Sequence, residues 1–318
     1  MAIATVSAQL DRQRVFDVLF RGATRAFAIL VLVLLGGVMV ALGVGAWPAF
    51  SHFGLGFLVS SAWNPVEDQF GALPAIFGTL VTSALAMLIG VPLALGVAVF
   101  LTELCPPFLR RPIGTMIELL AAVPSIIYGI WGLFVLAPFL QLTVQPILID
   151  IFGNVPIIGL LFEGPPLGLG ILTAGFILAM MVLPFIASVM RDVFQTVPPM
   201  LRESAYGIGA TTTEVVRDII VPYTRTGIIG GVMLGLGRAL GETMAVTFVI
   251  GNAHEIHASL LAPGTTISAT LANEFTEAVT KLYISSLFAL GFILFVITFL
   301  VLAAAKIMLI RLQQQAGS

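Results

Sequence analysis

Residues 227–250 read GIIGGVMLGLGRALGETMAVTFVI, a stretch long and apolar enough to cross a lipid bilayer as one helix. Arg238 lies near its middle, and Glu242, its only other charged residue, lies one helical turn further on. A charge at the centre of the bilayer costs at least about 2.5–3.5 kcal/mol. We therefore expect both side chains to face other helices or a water-filled path rather than lipid.

The rest of the composition agrees with this stretch. Hydrophobic residues make up 59% of the chain and charged residues only 9%, whereas soluble domains carry about 25% charged residues. Backbone groups in hydrocarbon must pair internally, so long uncharged runs predict helices. Such runs predict an all-α membrane protein with six transmembrane helices, at residues 26–46, 72–101, 119–140, 167–190, 227–250 and 283–305.

The basic residues give these helices an orientation. If six spans alternate, only Lys281 of the 14 Lys and Arg residues falls on the opposite side, and Arg238 falls within a span. The positive-inside rule then predicts that both termini are cytoplasmic and that residues 1–25 form a basic cytoplasmic tail. The run 26–46 is predicted to be a retained span, because the apolar region of a signal peptide has only about 7–15 residues.

Few other residues suggest chemistry. Cys105 is the single cysteine, and His254 and His257 have no third ligand nearby in the sequence, so we expect no metal site. A phosphate-binding P-loop needs a lysine directly after a glycine, and neither Lys281 nor Lys306 follows one. We expect no cofactor in this chain, no enzymatic activity and no nucleic-acid partner. Any ATP chemistry would need a separate polypeptide.

The most polar stretch is RDVFQTVPPMLRESAYGIGATTTEVVRDIIVPYTRTG, at residues 191–227 between spans four and five. Its proline pair predicts the start of a short helix. The capping-box spacing of Thr211 and Glu214 predicts the start of a second helix, which is expected to end at Pro222. We expect these helices to form a cytoplasmic knob that docks on a partner, in preference to a solvated linker.

This loop resembles the EAA motif of ABC-importer permeases, which reads Glu-Ala-Ala, three residues, Gly, nine residues, Ile, two residues and Pro. Serine in place of the first alanine is the only departure. The resemblance implies that this loop forms the coupling helices that contact an ATPase subunit. The matching residues are Glu203, Ser204, Ala205, Gly209, Ile219 and Pro222.

A more extended resemblance runs from about residue 70 to the end of the chain. FGALPAIFGTLVTSALAMLIGVPLALGVAVFLTEL (70–104), ELLAAVPSIIYGIWGLFVLAP (118–138), GLGRALGETMAVTFVIGN (235–252) and APGTTISATLANEF (262–275) closely resemble the C-type permease of phosphate-specific transport (Pst) importers. The resemblance implies a type I ABC importer permease (MetI-like) core of five helices, spans two to six, within residues 70–310. The helix at 26–46 would precede this core.

The same resemblance implies a location and partners. It implies a multi-pass protein of the bacterial plasma (inner) membrane that forms half of a translocation path for inorganic phosphate. Its partners would be an A-type permease subunit in a heterodimer, two copies of an ATPase that binds ATP and Mg, and an extracytoplasmic phosphate-binding protein.

In that family the membrane Arg and Glu of the motif are linked to phosphate passage, and they correspond to Arg238 and Glu242 here. Thr243, beside Glu242, adds a hydroxyl to this motif. Ser125 and Thr79 are weaker candidates for lining the path, since hydroxyls on spanning helices often bond to the backbone instead.

Several alternatives stay open from the residues alone. Arg238 and Glu242 could form a structural salt bridge or a proton relay instead of a gate on an anion path. The substrate could be another oxyanion, such as sulfate, molybdate or phosphonate, because arginine binds any of them. An ATP-independent secondary transporter is a further alternative, although it would need no cytoplasmic docking knob.

Overall fold

The computed structural model describes the backbone of residues 2–316 and the side chains of residues 16–311. Within that part of the chain, six helices are long and apolar enough to cross a membrane, which confirms the predicted number of spans. These six are α1, α3, α5, α6, α8 and α11 in the following numbering. The helices are α1 (Ala2–Phe53), α2 (Gly56–Val59), α3 (Leu73–Leu104), α4 (Pro107–Ala121), α5 (Ser125–Phe152), α6 (Ile171–Gln195), α7 (Pro199–Gly207), α8 (Thr212–Leu240), α9 (Met244–Thr247), α10 (Ile267–Glu274) and α11 (Lys281–Ala316).

The first helix is longer than predicted. The predicted span 26–46 lies inside α1, which begins at Ala2, so the predicted tail at residues 1–25 is largely the start of the same helix. The side chains of Arg12 and Arg14 lie outside the described residues. Helix α1 packs on α11 near its C-terminal end, where the Ala49 N–H donates to the Ser285 hydroxyl over 2.9 Å.

The core of the bundle lies where α3, α6 and α8 meet. Helix α6 is the most buried span. In its most apolar stretch of 18 residues 67% of the residues are buried, against 28% in the corresponding stretch of α3. Small residues allow this close packing: Gly90 of α3 lies against Val182 of α6, and Gly175 of α6 lies against Leu85 of α3. Helix α6 is therefore the central helix of the chain.

The glycines of α8 serve the same packing. A Cβ atom at Gly227 would overlap the Val193 side chain of α6, and one at Gly231 would come within 3.0 Å of Val189. The regular spacing of these glycines keeps them on one face of α8. The close approach of α6 and α8 within one chain thus accounts for the small-residue spacing of this helix.

The third span begins later than predicted. The predicted run 119–140 is divided at Val123 and Pro124, because a proline lacks an N–H group and disfavours helix at the residue before it. Its first part belongs to α4, and α5 then starts at Ser125 and continues to Phe152. Two π-helical turns, at Gly132–Leu136 and Leu140–Val144, lie within α5.

The prediction of one continuous span over 227–250 is wrong. Helix α8 ends at Leu240, with Gly241 as its C-terminal cap, and the short helix α9 follows. Residues 248–266 are mostly irregular and lead into α10. Such backbone is tolerated at membrane depth where protein surrounds it. Here a Cβ atom at Gly78 of α3 would overlap the Thr265 carbonyl.

The polar loop 191–227 contains both predicted helix starts. Helix α7 begins at Pro199. The predicted capping box is confirmed at the start of α8: the Thr211 N–H donates to Glu214 Oε2 over 2.7 Å, and the Glu214 N–H donates to the Thr211 hydroxyl over 3.4 Å. The second helix does not end at Pro222, because a π-helical turn at Val215–Ile220 precedes the proline and carries the helix on into span five.

A small polar cluster joins the segment between α2 and α3 to the segments around α10. Strands β1 (Trp63–Asn64) and β2 (Gln69–Phe70) form an antiparallel hairpin. The Trp63 ring stacks on His254 with centroids 4.8 Å apart. The Glu274 carboxylate accepts from Trp63 Nε1 over 3.1 Å, lies 3.0 Å from His254 Nε2 and also accepts from the Tyr283 hydroxyl. This cluster ties the hairpin to α10 and α11.

Candidate functional site

Arg238 lies in the last turn of α8, and not near the middle of a helix as predicted. Its neighbour nevertheless places it level with the inner part of α6, well away from both ends of that helix. The guanidinium Cζ lies 5.9 Å from the centre of the Phe185 ring on α6. At about 1.5 Å per residue, Phe185 is ~21 Å from the start of α6 and ~15 Å from its end. Arg238 is exposed on the surface of this chain.

Glu242 does not pair with Arg238. Because α8 ends at Leu240, Glu242 leaves the helical face on which the pair was expected. Its side chain is half-buried, and its Oε1 accepts from the Ala245 N–H over 3.3 Å at the start of α9. Among the side chains that the structure describes, Arg238 has no salt-bridge partner. The interpretation of the two residues as a structural salt bridge is therefore wrong.

Tyr128, which no sequence pattern singled out, lies within electrostatic range of Arg238. The charge of Arg238 acts on the Tyr128 hydroxyl, which donates to the Leu120 carbonyl over 2.9 Å. Ser125 is half-buried at the first residue of α5, one turn before Tyr128. A tyrosine inside an apolar run has no sequence signal that separates it from an ordinary core aromatic. The first turns of α5 thus pack against α9, the short helix that follows the end of α8.

Thr79 is buried in the bundle. Its hydroxyl donates to the Ala75 carbonyl over 2.7 Å and accepts from the Ile267 N–H over 2.9 Å, at the start of α10. Its proton is therefore not free for a passing anion. This arrangement matches the backbone-bonding role that the sequence left open for such hydroxyls.

Thr243 is half-buried, and its hydroxyl lies 3.5 Å from the Gly241 carbonyl. It lines a groove of about 470 Å³ between α10 and α11, together with Ser268 and Phe275. Arg238 and Glu242 do not line this groove. The structure therefore places Thr243 next to Glu242 in the chain but on a different surface from Arg238.

The residues of the EAA-type motif divide by exposure. Ala205 is buried in the core and Ile219 is half-buried beneath α7, so these two hold the loop together. The remaining four are exposed: Glu203, Ser204, Gly209 and Pro222. The motif therefore combines an inner packing face with an outer face that is available to a partner.

Gly209 shapes the tip of this loop. It has φ = +93°, the left-handed region in which glycine is favoured, and it ends the turn that follows α7. Ile208 beside it is 89% exposed. An isoleucine that projects from the polar tip of a loop is a candidate contact that the motif did not single out.

The fold defines the class of protein. Residues 90–313 match the family described as "Binding-protein-dependent transport system inner membrane component". The fold is similar to that of a bacterial ABC transporter involved in the import of the acidic polysaccharide alginate, with a TM-score of 0.58 at 17% identity, over 95% of this chain and 99% of that chain. It is also similar to the MetNI methionine ABC transporter in inward-facing conformations, with a TM-score of 0.52 at 16% identity, over 75% of this chain and 93% of that chain. The chain is a multi-pass permease of the inner membrane, a transport component and not an enzyme.

Individual relatives narrow this class. The chain is 65% identical to "Phosphate transport system permease protein PstC" of Mesorhizobium japonicum, over 98% of this chain and 95% of the relative. It is 54% identical to the PstC of Pasteurella multocida, over 95% of this chain and 94% of that protein. A probable PstC of Methanocaldococcus jannaschii is 38% identical over 79% of this chain and 80% of its own length. The chain belongs to the PstC family of permease proteins, which confirms the resemblance found in the sequence.

Proposed function

We propose that this chain forms half of the translocation path of an ATP-driven importer for inorganic phosphate. The observation that carries the proposal is the 65% identity, over 98% of the chain, to a relative named as a phosphate transport system permease. The chemistry of Arg238 agrees with this substrate, because the planar guanidinium binds oxyanions through two parallel hydrogen bonds.

Arg238 has no salt-bridge partner among residues 16–311, and this favours a role on an anion path. A phosphate ion can approach the guanidinium without first breaking a salt bridge, since Glu242 is held by the start of α9 instead. In this mechanism Arg238 attracts the anion. Glu242 then approaches and neutralises the arginine when the path rearranges, which releases the phosphate. Ser125, one turn before Tyr128, and Thr243, beside Glu242 in the chain, are secondary candidates for the path.

The exposed side of Arg238 suggests how the path is completed. An A-type permease subunit in a heterodimer would cover this side and supply the opposite wall. Two copies of an ATPase would bind ATP and Mg, and an extracytoplasmic phosphate-binding protein would deliver the substrate. The positive-inside argument supports a cytoplasmic position for both termini and for the 191–227 loop.

The 191–227 loop is proposed to receive the movement of the ATPase. Its exposed residues, Glu203, Ser204, Gly209 and Pro222, would form the contact, with Ile208 at its tip. Closure of the ATPase dimer would then favour one of two arrangements of the bundle, so the path opens to each side in turn.

The test is uptake by the complete complex in proteoliposomes, with labelled phosphate and labelled sulfate offered separately. The proposal predicts phosphate uptake that requires ATP and the binding protein. Preferential uptake of sulfate, molybdate or a phosphonate would contradict the assignment of the substrate. Uptake at the same rate without ATP would contradict the ATP-driven mechanism and favour a secondary transporter.

A further inference from the structure

A shielded ion pair joins α7 to the second span. Nη1 of Arg202, on α7, lies 3.0 Å from Oε1 of Glu103, at the C-terminal end of α3. The Glu103 side chain is 5% exposed and that of Arg202 is 20% exposed. Removing two charges from water is costly, and such a pair is often no more stabilising than apolar residues of similar volume. Its presence at this position therefore points to a role other than stability.

The same arginine also contacts the fourth span. Its Nη2 donates to the carbonyl of Phe194 over 2.5 Å, in the last turn of α6. The same carbonyl also accepts from the Val197 N–H over 3.2 Å just after α6, so it is shared between the backbone and Arg202. One guanidinium on α7 thus holds the cytoplasmic ends of α3 and α6, two of the helices that form the core.

Glu103 lies in a π-helical turn, Phe100–Leu104, that ends α3. Turns of this kind are rare and occur frequently at functional sites. A second π-helical turn, Val215–Ile220 of α8, comes after α7 in the chain and packs against it. Helix α7 is therefore connected to the bundle through two irregular turns.

Arg202 and its neighbour Glu203 point in different directions. Glu203 is exposed on the outer face of α7, whereas Arg202 reaches inward to Glu103 and Phe194. The guanidinium makes one hydrogen bond, to the Phe194 carbonyl, and one ion-pair contact, to Glu103, so it contacts α6 and α3 at once. The buried Glu103 Oε1 and Arg202 Nε have no hydrogen-bond partner, so the charge attraction holds this contact more than hydrogen-bond geometry does. A force on the outer face of α7 would reach α3 and α6 through this contact.

This inference rests on the proposed function, in which an ATPase moves the 191–227 loop. We infer that the Arg202–Glu103 pair is the joint that transmits movement of α7 to the second and fourth spans. Both are positioning residues, since they act through the helices and touch neither phosphate nor ATP. Without the joint, the ATPase still binds and hydrolyses ATP, but less phosphate crosses the membrane for each ATP.

The test uses the complete complex in proteoliposomes and measures phosphate uptake and ATP hydrolysis in the same sample. The first variant, Glu103→Gln, removes the charge and keeps the shape of the side chain. The second, Glu103→Met with Arg202→Met, replaces the pair by apolar residues that suit a buried site. Glu118→Gln is the matched control, because it removes a cytoplasmic ion pair of 2.6 Å with Arg191 in which Glu118 is 52% exposed.

We expect both variants to retain the ATPase in pull-downs and to transport at least about tenfold less phosphate per ATP, while Glu118→Gln stays within about twofold of the parent. An unchanged ratio in the apolar double variant would overturn the inference, since the pair would then be replaceable packing. Failure of both variants to assemble would also overturn it, because the pair would then serve folding. The parent complex tests the proposed function separately: if its uptake does not depend on ATP, that proposal fails whatever the variants do.

Discussion

The guanidinium of Arg238 lies over the ring of Phe185, with 5.9 Å between Cζ and the ring centre. The contact is attractive by about 0.5–2 kcal/mol, depending on how far the charge is desolvated. This contact stabilises the positive charge much less than an ion pair with a carboxylate would. Arg238 is thus held at a defined depth beside α6 while its hydrogen-bond donors stay available.

Arg238→Gln should lower phosphate uptake by roughly tenfold to a hundredfold. The variant loses a charge-assisted hydrogen bond to the anion, worth about 1.5–3 kcal/mol. Assembly should be unaffected, because no salt bridge is removed. Uptake and pull-down of the partner subunits measure the two effects, and Arg238→Lys should retain part of the activity. Normal transport by the glutamine variant would remove Arg238 from the path.

Glu242→Gln should lower the maximal rate of uptake without raising the phosphate concentration at half-saturation. Glutamine can still accept the hydrogen bond from the Ala245 N–H, so the start of α9 is kept. What is lost is the negative charge that displaces the anion from Arg238. The uptake kinetics of Arg238→Gln, of Glu242→Gln and of the variant with both substitutions form a double-mutant cycle. Strictly additive effects would show that the two charges act independently.

Thr79→Val should destabilise the protein by about 1–3 kcal/mol, because it leaves the buried N–H of Ile267 without a partner. Thr79→Ser keeps the hydroxyl and both hydrogen bonds, and should fold and transport like the parent. Thermal unfolding in detergent compares the two variants. If the valine variant is as stable as the parent but transports poorly, Thr79 acts on the path and not in the packing of α10.

Gly209→Val should weaken binding of the ATPase, measured by pull-down from membranes. A β-branched residue at φ = +93° is strained by about 1–3 kcal/mol, so the tip of the loop would change shape. No atom lies within 4 Å of a Cβ built at Gly209, so the effect comes from the backbone and not from a clash. Gly207→Ala is the control, since it also points into open space but has an ordinary φ. Equal binding by the two variants would contradict the proposed contact.

Glu274 should make stability depend on acid pH. Burial raises the pKa of Glu274, but hydrogen bonds from His254, Tyr283 and Trp63 outweigh it, so the folded pKa lies below its usual value. A lowered carboxyl pKa stabilises the fold fully above the unfolded pKa of about 4.3, and this stabilisation is lost as pH falls through the folded pKa.

Thermal unfolding between about pH 6 and about pH 3 tests this sign. Glu274→Gln should unfold at a lower temperature than the parent at pH 6, and the difference should shrink as the pH falls below about 4.3. Glu277→Gln, a nearby exposed carboxylate, is the control and should follow the parent. A constant difference between Glu274→Gln and the parent over the whole range would contradict the assignment.

The sequence located most elements but misplaced their ends. Span five shows why its end was misplaced. Glycines recur along the whole run, so no single one marks a helix end; they lie at 227, 230, 231, 235, 237 and 241. Gly241 became the cap because the following chain turns to pack against α5, where a Cβ at Gly129 would meet Ala245 and Phe248. Pro222, by contrast, is a residue type that often ends a helix. Here the helix continues through it, because a π-helical turn at Val215–Ile220 comes directly before it.

The number of spans, the polar loop with its capping box and the presence of a charged pair within an apolar run were determined by the sequence alone. Each depends on hydropathy, charge or spacing within about 20 consecutive residues, so no distant contact is needed. Only the tertiary structure decided that Glu242 leaves Arg238, that Tyr128 and Phe185 lie near that arginine, and that Arg202 meets Glu103. These relationships join residues on different helices, and their geometry follows from the packing of the whole bundle rather than from any local pattern.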